Sequence, residues 1–127
     1  HYRHVSNSPP LPRHLRPGET CRVPLVVADD IATAARSDTL EELRLEMELQ
    51  GPVRKDLLTL KVNQRLISGC RIEPLPDTSS KYRLTVSLDS TAVRNGKNEL
   101  KLSRQVPART AGEPIELVKA QLWVKFK

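Results

Sequence analysis

A chain of 127 residues falls within the size of one domain, and an apolar content of 38% is too high for a polar disordered segment. The longest uncharged apolar run, residues 23–28, is far shorter than the roughly 20 residues a helix needs to cross a bilayer, so membrane insertion is not expected. The net charge of +6 raises the question of a polyanionic partner, but half of it sits on Arg3, Arg13 and Arg16, ahead of the first acidic residue, Glu19; the rest of the chain is close to balanced.

Residues 1–18 carry Pro9, Pro10, Pro12 and Pro17 without periodicity and read as a proline-rich linker or strap, leaving residues 19–127 as the domain proper. With His1 first instead of Met, the piece is expected to come from a longer polypeptide and to adjoin another domain. All three histidines, His1, His4 and His14, fall in this segment. A mobile lead-in cannot hold a general base or a metal ligand in position, so no catalytic residue, metal or cofactor is expected there.

From residue 19 the chain alternates. Cys21, Val23, Leu25 and Val27 share a parity, which predicts a strand with one dry face, and Pro24 within it marks an edge position. Asp29 and Asp30 precede Ile31–Arg36, an acidic cap ahead of one short helix; helix capping explains the two carboxylates with fewer assumptions than a calcium shell. Leu43, Leu45, Met47 and Leu49 then alternate with Arg44, Glu46, Glu48 and Gln50, the strongest strand signal in the chain, closed by Gly51-Pro52. Residues 56–62 form the next strand, and Asn63-Gln64 turns it into residues 65–67 as a hairpin. Residues 69–81, with Pro74, Pro76, Asp77, Ser79 and Ser80, read as a loop.

Residues 82–88 form another strand, with Tyr82 on the core parity, and residues 95–98 a turn into 99–102. After a loop at 107–114 comes a final strand, 115–126. Ile115 and Leu117 occupy one parity and Leu122, Val124 and Phe126 the other, so a bulge is expected near residues 118–120. Trp123 shares parity with Gln121 and Lys125, on the wet side. Seven or eight strands and at most one short helix predict an all-β, antiparallel β-sandwich or jelly roll; a closed barrel has the same periodicity.

Chemistry is sparse. Glu46 and Glu48 point to one solvated side about 7 Å apart, without the cleft that would shift one proton affinity, so an enzyme is not expected. Five scattered glycines and the lack of a basic run interleaved with aromatics speak against nucleic acid. Cys21 and Cys70 can form at most one bridge; two small buried thiols are the simpler reading. The single candidate binding residue is Trp123. An indole on a wet face serves either as a ligand platform or as a surface covered by a neighbouring domain, and the second is favoured because no other aromatic is clearly on that side.

Three segments carry a family resemblance: Leu58-Thr59-Leu60-Lys61-Val62-Asn63-Gln64-Arg65-Leu66, then Asn95-Gly96-Lys97-Asn98-Glu99-Leu100, then Leu117 to Phe126. In that order they resemble the galactose-binding-domain-like jelly rolls, accessory domains of glycoside hydrolases and related secreted proteins. Over residues 19–127 the resemblance implies a non-catalytic module of a larger carbohydrate-active protein, of extracytoplasmic or secreted location, that packs on a neighbouring domain and has glycan as a second candidate partner. An immunoglobulin-like or fibronectin-like interaction domain is the alternative, and it would need a different strand order.

Overall fold

The computed structural model describes residues 2–7, 9–28, 30–76, 80–106 and 113–127. Its strands are β1 (Tyr2–His4), β2 (Arg13–Leu15), β3 (Thr20–Val27), β4 (Leu40–Gln50), β5 (Leu58–Val62), β6 (Arg65–Ile67), β7 (Arg71–Pro74), β8 (Lys81–Ser87), β9 (Gly96–Arg104) and β10 (Ile115–Phe126). Among the described residues one α-helix, α1 (Ile31–Arg36), joins β3 to β4, and two short 3-10 turns lie at Lys55–Leu57 and Ser90–Ala92.

Two antiparallel sheets face each other. The larger runs β1-β10-β4-β8-β7, with β2 also on β10, and the smaller runs β3-β9-β5-β6. Sequence neighbours mostly lie in opposite sheets: β3 pairs with β9 while β4 pairs with β10 and β8. The chain is therefore an antiparallel β-sandwich. Its core is the set of inward parities read from the sequence: Cys21, Val23, Leu25 and Val27 of β3 and Leu43, Leu45, Met47 and Leu49 of β4 are all buried. Each such aliphatic side chain contributes roughly 1.5–3 kcal/mol by leaving water, which holds strand register against a one-residue slip.

Local signals shape the connections. The Asp30 carboxylate accepts the Thr33 backbone N–H at 3.0 Å and so caps α1. Asn63 and Gln64 take positive φ of 49° and 71°, the mirror-image turn that suits the right-handed twist of a two-residue hairpin. Gly51 closes β4 at φ +119°, and a Cβ there would come within 3.1 Å of the Pro114 carbonyl oxygen. A register shift in β10 between Leu117 and Lys119 supplies the expected bulge.

Four expectations are corrected. Residues 69–81 are not all loop, because β7 pairs with β8 and sets Ile72 opposite Leu84. Pro74 is tolerated there because β7 is an edge strand with one neighbour. Asn98 is not a turn residue but lies inside β9, 5% exposed, because β9 already begins at Gly96. Phe126 does not join the buried core: it ends β10 beside a second register shift, where Glu41 of β4 is the extra residue, and is 38% exposed.

The fourth correction concerns the opening segment. Tyr2–His4 and Arg13–Leu15 are not a mobile lead-in but pair with β10. Between them the chain crosses to the other sheet: Asn7 N–H donates to the Val26 carbonyl at 3.0 Å, and the Asn7 side chain accepts the Val26 N–H at 2.7 Å. Val5 and Leu15 are buried where the segment leaves and rejoins β10. Buried Arg104 fastens its far end, donating to the carbonyls of Leu15 at 3.0 Å and Glu113 at 2.7 Å. His1, Asp29 and residues 107–112 of the expected loop lie outside the described residues.

Candidate binding face

The outer face of the larger sheet gathers around β1, β10 and β4. Register sets His4 opposite Trp123 and Trp123 opposite Arg44; one step on, Tyr2 lies opposite Lys125 and Lys125 opposite Glu42. Side chains directly across a strand pair lie near one another, and the aromatic ones here interact. The His4 and Trp123 rings stack with centroids 5.0 Å apart at 30°. The Arg44 guanidinium lies 4.2 Å from the centre of the Tyr2 ring, and Lys125 Nζ lies 5.7 Å from it.

Hydrogen bonds order this group. Arg44 donates to the Tyr2 hydroxyl at 2.7 Å, and that hydroxyl donates to Glu42 at 2.8 Å. Arg44 also pairs directly with Glu42 at 3.1 Å and with Glu46 at 3.7 Å. Donation to Glu42 raises the Tyr2 phenol above the ordinary tyrosine value, since ionisation would set two negative oxygens side by side. Glu48, in turn, lies 3.9 Å from both Arg83 and Lys119. The carboxylates of β4 are thus matched to cations, and beyond Arg44 the face continues into a shallow depression of about 470 Å³ bounded by Glu46, Arg71, Glu73, Arg83 and Thr85.

Trp123 stands on the outer face, as parity predicts, half-buried rather than open. The expectation that it lacks aromatic company is corrected, because β1 brings Tyr2 and His4 beside it. Sequence reasoning missed both: a three-residue strand leaves no periodicity to read. Two buried polar atoms here have no hydrogen-bond partner among the described residues, Trp123 Nε1 and Gln121 Oε1. One donates, the other accepts, and they sit two positions apart on one face of β10.

The motif residues that carried the resemblance do structural work. The Asn63 side chain donates to Ala92 O at 2.9 Å and Asn98 Oδ1 at 2.8 Å, and accepts the Glu99 N–H at 2.9 Å. Asn98 accepts the Arg94 N–H and donates to Arg94 O, both at 2.8 Å, and to Gly96 O. These two amides stitch the β5–β6 hairpin to the approach to β9. Cys21 and Cys70 are both free thiols, raised above the usual cysteine value by burial. Cys70 lines a largely apolar cleft of about 230 Å³ with Leu58, Leu60, Ile67, Ile72 and Leu84.

No protein-family model matches the chain, and no curated protein does. Among solved structures it is similar to a β-porphyranase of glycoside hydrolase family 86 from the human gut bacterium Bacteroides plebeius, with a TM-score of 0.60 and 14% identity. The match covers 98% of this chain and 21% of that one, so the chain spans about a fifth of the enzyme's length. At such identity the likeness is one of fold: an antiparallel β-sandwich of a kind found within a glycoside hydrolase.

Proposed function

We propose that the chain is a non-catalytic accessory module of a larger carbohydrate-active protein, a jelly-roll sandwich of the galactose-binding-domain-like type. It packs against a neighbouring domain and takes glycan on the outer face of its larger sheet. The observation that carries this reading is the coverage: almost the whole chain matches about a fifth of a glycoside hydrolase. The nested pairing of β3 with β9 and, within it, of β4 with β8 supports a jelly roll over an immunoglobulin-like order. The half-buried Trp123, stacked on His4 on the outer face of the larger sheet, supports a ring contact there.

Titration calorimetry with neutral and sulfated galactan oligosaccharides tests the glycan part, with Trp123→Ala beside the natural sequence. Binding weakened about tenfold or more by the substitution is expected, in line with loss of a ring contact. Heat from no glycan at all would remove that part and leave interdomain packing. A longer polypeptide that carries no carbohydrate-active domain would sink the whole reading.

A further inference from the structure

We propose that the outer face of the smaller sheet binds an anionic polysaccharide, a chain bearing sulfate or carboxylate groups along its length. The choice of a polysaccharide rests on the carbohydrate-associated reading above; the demand for negative charge comes from the sheet itself. β3, β9 and β5 lie side by side, and their register sets Arg22 opposite Lys101 and Lys101 opposite Lys61. All three face away from the core, because their chain neighbours Val23, Leu100, Leu102, Leu60 and Val62 are buried. At about 4.8 Å per strand they form a row of cations roughly 10 Å across.

Lys97 stands on the same face, opposite Val26. Glu99 is the single carboxylate on the strands of this sheet, and it lies 3.6 Å from Lys101. The side chains of Arg22, Lys61 and Lys97 make no ion pair or hydrogen bond among the described residues. The larger sheet is arranged differently: Arg44, Arg71, Arg83, Lys119 and Lys125 each have a carboxylate within 4 Å. On the strands of the smaller sheet cations thus outnumber carboxylates and stand largely unpaired, whereas these five cations of the larger sheet are matched.

Like charges directly opposite one another destabilise a sheet, so folding alone does not favour this row. A polyanion laid across β3, β9 and β5 turns the repulsion into attraction. Beside the cations, Thr20, Ser103 and Thr59 form a parallel row of hydroxyls, with Thr20 Oγ1 and Ser103 Oγ 2.9 Å apart. Hydroxyls next to cations suit a polymer that presents sugar hydroxyls next to acid groups. Strands β3, β5 and β9 hold no aromatic residue, so the face lacks the stacking platform that single-stranded nucleic acid uses.

The test is calorimetric binding of a sulfated galactan, its desulfated counterpart and a polyuronate to the whole chain and two triple variants. Arg22→Gln/Lys61→Gln/Lys101→Gln empties the row, and Arg36→Gln/Arg54→Gln/Lys127→Gln removes equal charge elsewhere. The sulfated galactan is expected to bind more weakly as salt rises, with the row variant losing about 30-fold and the control less than about 3-fold. The row variant should melt no lower than the natural sequence, since it relieves repulsion, which separates lost binding from lost folding.

Equal losses in both triples would overturn the proposal, because they would report net charge alone. Binding of neutral galactan that depends on Trp123 and ignores sulfate would overturn it while leaving the accessory-module reading in place. Attachment through the same three cations to duplex DNA or to phosphatidylserine vesicles, with no glycan bound, would overturn it together with the glycan part of the accessory-module reading.

Discussion

His4 and Trp123 face each other across the β1–β10 pair with ring centroids 5.0 Å apart, so the chain's own first strand roofs part of the indole that parity leaves on a wet face. Trp123 is the only tryptophan, which makes the contact directly observable. His4→Ala is expected to shift tryptophan emission to longer wavelength and to cost about 1 kcal/mol of stability, the worth of one ring pair. Denaturant unfolding followed by fluorescence measures both. An unchanged emission maximum would mean that β1 does not cover the indole.

The Tyr2 hydroxyl is shared between Glu42 and Arg44, and its phenol is raised chiefly by donation to Glu42. A group raised in the folded state contributes stability that is fully present below its unfolded value, near 10, and lost as pH climbs through the folded value. Thermal melts should therefore fall in alkali above about pH 10, and Tyr2→Phe should remove that component and lower the melting temperature at neutral pH. An alkaline limb identical in Tyr2→Phe would refute the assignment.

Asn98 is 5% exposed and bonded on both sides of its amide, to Asn63, Arg94 and Gly96. Asn98→Ala leaves the Arg94 N–H and Asn63 amide without an acceptor in a dry site, and a cost of about 3 kcal/mol is expected. Urea unfolding gives the number; a loss under about 1 kcal/mol would show that the β5–β6 and β9 turns hold without it.

Three aspartates are held below the ordinary carboxylate value: Asp30 and Asp89 mainly by hydrogen bonds from Thr33 and Thr91, Asp38 by a hydrogen bond from Lys127. A lowered group contributes stability above its unfolded value, near 4, and loses it as pH falls through the folded value. The melting temperature should thus be flat from neutrality to about pH 5 and drop below about pH 4. In Asp30→Asn/Asp38→Asn/Asp89→Asn the drop should be shallower. An equal drop would place the acid sensitivity elsewhere.

Strand parity was legible because apolar side chains on β3, β4, β5, β8 and β10 each had a core to meet. The bulge in β10 was legible for the same reason, since a change of parity within one strand has no other cheap cause. β1 and β7 were not. Each is an edge strand of three or four residues carried by pairing with a longer neighbour, too short for a period to show, and in β7 Pro74 and the nearby Pro76 mask the pattern further. Trp123 could be placed on the outer face from parity, but its neighbours could not.

Local chemistry, written in single residues and their spacing, determined which face of each strand is dry, where α1 is capped and where the β5–β6 hairpin turns, because those features involve side chains within a few positions of each other. Tertiary pairing decided the rest. Only the register of β3 on β9 and of β9 on β5 sets Arg22, Lys101 and Lys61 in one row, and only the return of β1 to β10 seats His4 on Trp123. Residues some 40 to 120 positions apart carry no mutual periodicity; the hydrophobic core that aligns the strands is what makes them neighbours.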